Sequence, residues 1–183
     1  MNTTATSPGT MANDATVGTI AWTNPNNAKV SDNVYATASN FGGTTTNYLK
    51  ATNFGFSIPA GATINGMIVE IERKTNNPGA GVDNAVRIVK GGVIGSTNKA
   101  SGVNWTGSDT YAIYGSSSDL WGETWNGTDI NDSIFGVVIS AKDTVGESAT
   151  LTIDHIRITV YYTEVSLTIT SISSIQGIQS ITL

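Results

Sequence analysis

Between residues 67 and 72, Met67, Val69 and Ile71 take one parity and Ile68, Glu70 and Glu72 the other. A period of two predicts a half-buried β-strand with an acidic outer edge. The same reading along the chain predicts strands over 17–22, 34–39, 48–56, 86–90, 111–114, 134–140 and 150–163. Residues 134–140 (IFGVVIS) are apolar on consecutive positions, which predicts a central strand covered on both faces. In TLTIDHIRITVYYT the apolar phase shifts between Ile153 and Ile156, which predicts a β-bulge at Asp154-His155. Turn chemistry separates the strands: Asn24-Pro25-Asn26-Asn27, Pro59-Ala60-Gly61, the Gly-rich loop 76–81 and Gly91-Gly92. Leu120 to Asn131 reads as a loop in which Asp129 caps one helical turn.

This pattern predicts an all-β fold: a jelly-roll-like antiparallel β-sandwich, with a barrel as the alternative. Residues 1–16, small and polar, form an extended N-terminal arm, and residues 17–163 form the sandwich. Residues 164–183 depart from the pattern. Ile169, Ile172, Ile175, Ile178 and Ile181 recur every third position between Ser, Thr, Gln and Gly. Such a step leaves no seam on an α-helix and throws successive isoleucines to opposite faces of a strand. An extended helix with three residues per turn places all five on one edge. The expectation is a C-terminal oligomerisation or anchoring segment, three-fold, making the protein a homotrimer. The alternative is one further strand added to a sheet.

Composition supports the strand reading. The chain holds 19 Ile and 14 Val against 5 Leu, and β-branched residues favour a pleated surface. Thr, Ser and Asn number 27, 18 and 17, so the polar surface is mostly neutral. A net charge of −5 argues against nucleic acid as a partner. The absence of cysteine excludes a disulfide framework and thiolate catalysis, and a single histidine excludes a multi-His metal site. No apolar run is long enough for a membrane helix, and the N-terminus has neither the basic nor the apolar region of a secretory signal.

Candidate chemistry is sparse. His155 adjoins Asp154, but strand neighbours point to opposite faces, so the two make no dyad unless a bulge turns one of them. No G-x-S-x-G elbow accompanies them. Glu70 with Glu72, or Glu123 between Trp121 and Trp125, would be the carboxylates of a glycan hydrolase. Asp129, Asn131 and Asp132 are the clustered oxygen donors that a Ca²⁺ ion would use, but they lack EF-hand spacing; Asx turns and caps are the favoured explanation, and no metal is expected. Trp22, Trp105, Trp121 and Trp125 fall at strand ends or in loops. Either they close the end of the sandwich with each indole N–H on a loop carbonyl, or Trp105, Trp121 and Trp125 stack on sugar rings.

Several segments together carry a resemblance. They are Ala21-Trp22-Thr23-Asn24-Pro25-Asn26-Asn27-Ala28 with Ser31-Asp32-Asn33 and Tyr35-Ala36-Thr37, then Ile58-Pro59-Ala60-Gly61-Ala62-Thr63-Ile64. Leu120-Trp121-Gly122 with Trp125, and Asp129-Ile130-Asn131 with Phe135-Gly136-Val137, complete the set. Over about residues 17–163 the chain resembles a sandwich module of tailed-bacteriophage virion proteins and related bacterial surface proteins. The resemblance implies a virion structural protein (capsid decoration, head fibre or tail appendage) that assembles in the host cytoplasm and ends on the virion surface. Its implied partners are itself, other virion proteins and a host-surface glycan. It implies no catalytic residue, no cofactor and no enzyme activity. The alternative function is a carbohydrate-binding module.

Overall fold

The computed structural model describes residues 1–39, 44–144 and 149–165, and its strands sort into two antiparallel sheets. In chain order the strands are β1 (Thr10–Asp14), β2 (Ala36–Ser39), β3 (Tyr48–Thr52), β4 (Thr63–Thr75), β5 (Gly81–Lys90), β6 (Val93–Ile94), β7 (Thr110–Ser116), β8 (Gly136–Asp143) and β9 (Thr150–Thr163). A 3₁₀ turn (Pro25–Ala28) precedes β2, and a short α-helix, α1 (Gly127–Asn131), precedes β8. The five-stranded sheet has the order β1-β3-β8-β5-β6 and the four-stranded sheet the order β2-β9-β4-β7. The isoleucine-bearing segment Ile169, Ile172, Ile175, Ile178 and Ile181 lies outside the described residues.

β4 shows how pattern becomes packing. Met67, Val69 and Ile71 are fully buried, while Ile68, Glu70 and Glu72 are partly exposed on the other face. The inward residues meet Ile156, Ile158 and Val160 of β9 and, across the sandwich, Val86, Ile88, Val137 and Ile139. β8 is covered twice. Val137 and Ile139 belong to the main core, whereas Val138 joins Tyr48, Ala85 and Val89 in a smaller cluster on the outer face, covered by Val17 and Ile94. That second layer explains the continuous apolar run of this strand.

The bulge expected in β9 is present. His155 pairs with Glu72 and Ile153 with Arg73, so Asp154 is the extra residue. Two other expectations change. Residues 17–22 make only a single bridge, Ile20 to Thr46, because Gly18 adopts a left-handed φ of 66° and packs directly against the Thr45 and Thr46 carbonyls. The strand expected to reach residue 56 stops at Thr52, where Asn53 turns left-handed. Phe54 and Phe56 then stack with centroids 5.8 Å apart and close the core against Phe135.

The N-terminal arm is tied to both sheets. Asn2 and Thr6 bridge to Tyr161 and Ile158 on the edge of β9, and β1 pairs along β3. A buried polar network also joins the sheets. Asp83 of β5 accepts from Tyr114 of β7 at 2.9 Å and from the Trp105 indole at 2.9 Å, and lies 3.5 Å from Arg73 of β4. The Arg73 guanidinium sits over the Trp105 ring at 4.8 Å.

Candidate functional site

Register across the five-stranded sheet assembles a groove on its outer face. Asp14 of β1 lies beside Tyr48 of β3, and Lys50 of β3 lies beside Val138 of β8, which lies beside Arg87 of β5. Period two puts these side chains on the solvent side, opposite the core residues Leu49, Ile139 and Ile88. The groove has a volume of about 590 Å³ and runs across the strands from Asp14 and Thr16 to Arg87, Ile94, Gly95 and Ser96. Four inter-strand steps from β1 to β6 give it a length of roughly 19 Å.

Local chemistry builds each wall. On one side Asp14 accepts from the Thr16 amide at 3.1 Å and the Thr16 hydroxyl at 2.6 Å, an Asx turn that folds the chain back over the sheet and lays Val17 on the small outer cluster. The Thr16 hydrogen bonds, together with Lys50, hold the Asp14 carboxyl below its ordinary range despite its partial burial. Lys50 Nζ stands 3.5 Å from Asp14 Oδ2. On the other side Gly91 and Gly92, with φ of 54° and 80°, make the two-residue turn from β5 into β6. The returning chain is fastened by Gly95 N donating to Ile88 O at 2.8 Å and by Arg87 Nη1 donating to the carbonyls of Gly95 and Ser96. The floor combines the Tyr48 ring, almost wholly buried, with aliphatic and hydroxyl groups. A polar trough with one aromatic in its floor and main-chain groups in its wall can bind an extended, hydroxyl-rich ligand.

The residues singled out by the sequence fall elsewhere. Trp105 and Trp121 are corrected as sugar-stacking candidates: they are 1% and 0% exposed, and both indole N–H groups are used inside, on Asp83 and on the Met67 carbonyl. Neither ring has a face open to a sugar. Trp22 is also buried and donates to the Asn47 carbonyl. Trp125 is partly exposed, donates to Leu120 O, lies edge-on to Phe135 and is covered by Lys90 Nζ at 5.2 Å. Asp129, Asn131 and Asp132, the candidate Ca²⁺ donors, are engaged in capping and turn hydrogen bonds. Asn126 is the N-cap of α1 and Asp129 returns a bond to the Asn126 amide in a capping box. Asn131 brackets Ile58 through its amide and carbonyl, and Asp132 accepts from Ile134 N. Among the described residues no group of three or more His, Asp or Glu side chains is placed to hold a metal ion.

His155 is 7% exposed, with Nε2 at 2.8 Å from Ser7 Oγ and Nδ1 at 2.8 Å from Tyr111 OH. Both ring nitrogens are therefore occupied by hydroxyls, and Asp154 instead accepts from Asn33 N, so these residues form no Ser-His-Asp arrangement. Burial and the neighbouring Arg157 lower the His155 pKa, which keeps the ring neutral at pH 7. Glu70 is held by Arg157 through two parallel bonds of 2.9 and 2.8 Å. The groove residues were not found from sequence: their outward positions carry a polar signal, but only register shows that they meet.

No protein family matches the sequence, and no curated protein matches it. Among solved structures the chain is similar to a CBM4 carbohydrate-binding module, with 11% identity over 81% of this chain and 92% of that one and a TM-score of 0.45. It is also similar to the N-terminal cellulose-binding domain of Cellulomonas fimi β-1,4-glucanase C, with 13% identity over 91% and 96% and a TM-score of 0.43. The resemblance to virion modules rests on its sequence motifs alone.

Proposed function

We propose that this sandwich is a non-catalytic carbohydrate-binding module that lays an extended polysaccharide chain in the groove across the five-stranded sheet. The observation that carries the reading is the groove itself, about 590 Å³, open along its length and lined by Tyr48, Lys50, Arg87, Thr16, Ser96 and Asp14. Sugars present hydroxyls on ring edges and C–H groups on ring faces. The groove offers charged and hydroxyl partners for the former, and Ile94 with the exposed edge of Tyr48 for the latter. The floor is fixed by strand pairing and the walls by the Asp14–Thr16 turn and the Arg87 clamp, so the site is formed before ligand arrives.

The test is affinity electrophoresis against a panel of soluble polysaccharides, with Ser96→Trp as a plug. Ser96 is exposed and lines the groove, so an indole there fills the trough without entering the core. Binding should be lost with an unchanged melting temperature, and the unmodified protein should release no sugar from the polysaccharide it binds. Binding that survives the plug overturns the reading.

A further inference from the structure

We propose that the glycan bound in this groove is acidic, a polysaccharide containing uronic acid whose carboxylate is gripped by Arg87. The inference rests on the groove reading and adds the charge of the ligand. Six ion pairs tie the cations Lys50, Arg73, Lys74, Lys90, Lys99 and Arg157 to carboxylates among the described residues. Arg87, Lys29 and Lys142 are not among them, and of these three only Arg87 lines the groove. It is half-buried on the groove wall, and its Nη1 donates to the Gly95 and Ser96 carbonyls. Two carbonyls orient the guanidinium without neutralising it. A planar fork held in place, with donors to spare, matches a carboxylate bidentately.

The other charges in the groove agree. Asp14, the carboxylate that lines it, accepts from Thr16 through Oδ1 and pairs with Lys50 through Oδ2, across the sheet from Arg87. Lys50 and Arg87 are separated by the single intervening Val138, a Cα spacing of roughly 10 Å. With Lys50 paired to Asp14, the lining carries one net positive charge, on Arg87. A fixed guanidinium without a carboxylate of its own favours an acidic chain over a neutral one. One net charge is too few to match the phosphate at every step of a nucleic acid, whereas it suits a carboxylate carried at intervals along a polysaccharide. The hydroxyl and apolar lining beside Arg87 suits sugar rings.

The test uses polygalacturonate, alginate and hyaluronate, each beside its carboxyl-reduced counterpart, which keeps the backbone and loses the charge. At least one acid form should bind about tenfold or more tightly than its reduced form. That preference should vanish in Arg87→Gln. Arg87→Lys, which keeps the charge but not the fork, should retain part of it and controls for any loss of folding in the first variant. If every acid and reduced pair binds alike, if no acid form binds, or if Arg87→Gln keeps the preference, the inference is overturned. In those cases a neutral glycan displaced by Ser96→Trp still supports the groove reading. Binding that ignores Ser96→Trp removes both.

Discussion

Tyr114 and Asp83 belong to different sheets, yet the Tyr114 hydroxyl donates to Asp83 Oδ2 at 2.9 Å in the interior of the sandwich. Burial and the Asp83 charge push the Tyr114 pKa well above its ordinary value, so the phenol remains a donor throughout the accessible pH range. Asp83 also faces Arg73, the Trp105 indole and the Ser101 amide and hydroxyl. Tyr114→Phe should destabilise by about 1–3 kcal/mol by removing one bond to a buried charge. Asp83→Ala should destabilise by about 3–5 kcal/mol, because it strands Arg73. Urea denaturation measures both, and equal losses would show that Arg73 finds another partner.

Val69 and Glu70 are neighbours on β4 with opposite fates. Val69→Asp places an unpaired carboxylate in the core and should unfold the domain. Glu70→Gln loosens only the partly exposed pair with Arg157, for a change below about 1 kcal/mol. Circular dichroism at room temperature distinguishes the two outcomes.

Asp154 and His155 titrate in opposite senses. Burial raises the Asp154 pKa above 3.8, so its contribution is present below that value and is lost as pH rises through the folded-state pKa. Asp154→Asn should therefore gain stability relative to the parent on going from about pH 4 to pH 7. Burial lowers the His155 pKa below 6.5, so its contribution is present above 6.5 and is lost as pH falls toward the folded-state pKa. His155→Asn should flatten the acid side of the melting-temperature profile. Parallel profiles for parent and variants would contradict both assignments.

Gly136 begins β8 where the backbone of β3 comes closest. A Cβ there would lie 1.9 Å from the Ala51 carbonyl oxygen. Gly136→Ala must displace a paired strand, and an expected loss of roughly 3 kcal/mol or more would appear as a melting temperature many degrees lower. A change of less than a degree would show that the two strands can separate freely.

Strong periodicity made β4 and β9 legible, including the bulge at Asp154, because a half-buried strand buries only one parity, and the continuous apolar run of β8 marked a strand covered on both faces. β1 was not legible: Met11 is its only buried residue, and its existence depends on pairing with β3, which no local pattern encodes. The sequence left the tryptophans open between closing the sandwich and stacking on sugars, for a related reason. Position at a strand end says nothing about depth, and Trp105 and Trp121 are drawn under neighbouring loops by partners far away in sequence. The groove shares that difficulty. Asp14, Lys50 and Arg87 each read as an ordinary outward polar residue, and their meeting is a fact of register.

The arm that touches both sheets also sets an order of events. Ser7 and His155 are 148 positions apart, so during synthesis the arm emerges long before the strand it must lie on. β1 can pair once β3 and β8 exist, but Thr6 has no place until β9 has joined the other sheet. The arm is thus the last seam to close, even though it is made before every strand it joins. Contacts this remote slow folding, and until they form the edge of β9 stays open to strands from other chains. Slow, dilute refolding should therefore recover more native protein than fast refolding at high concentration.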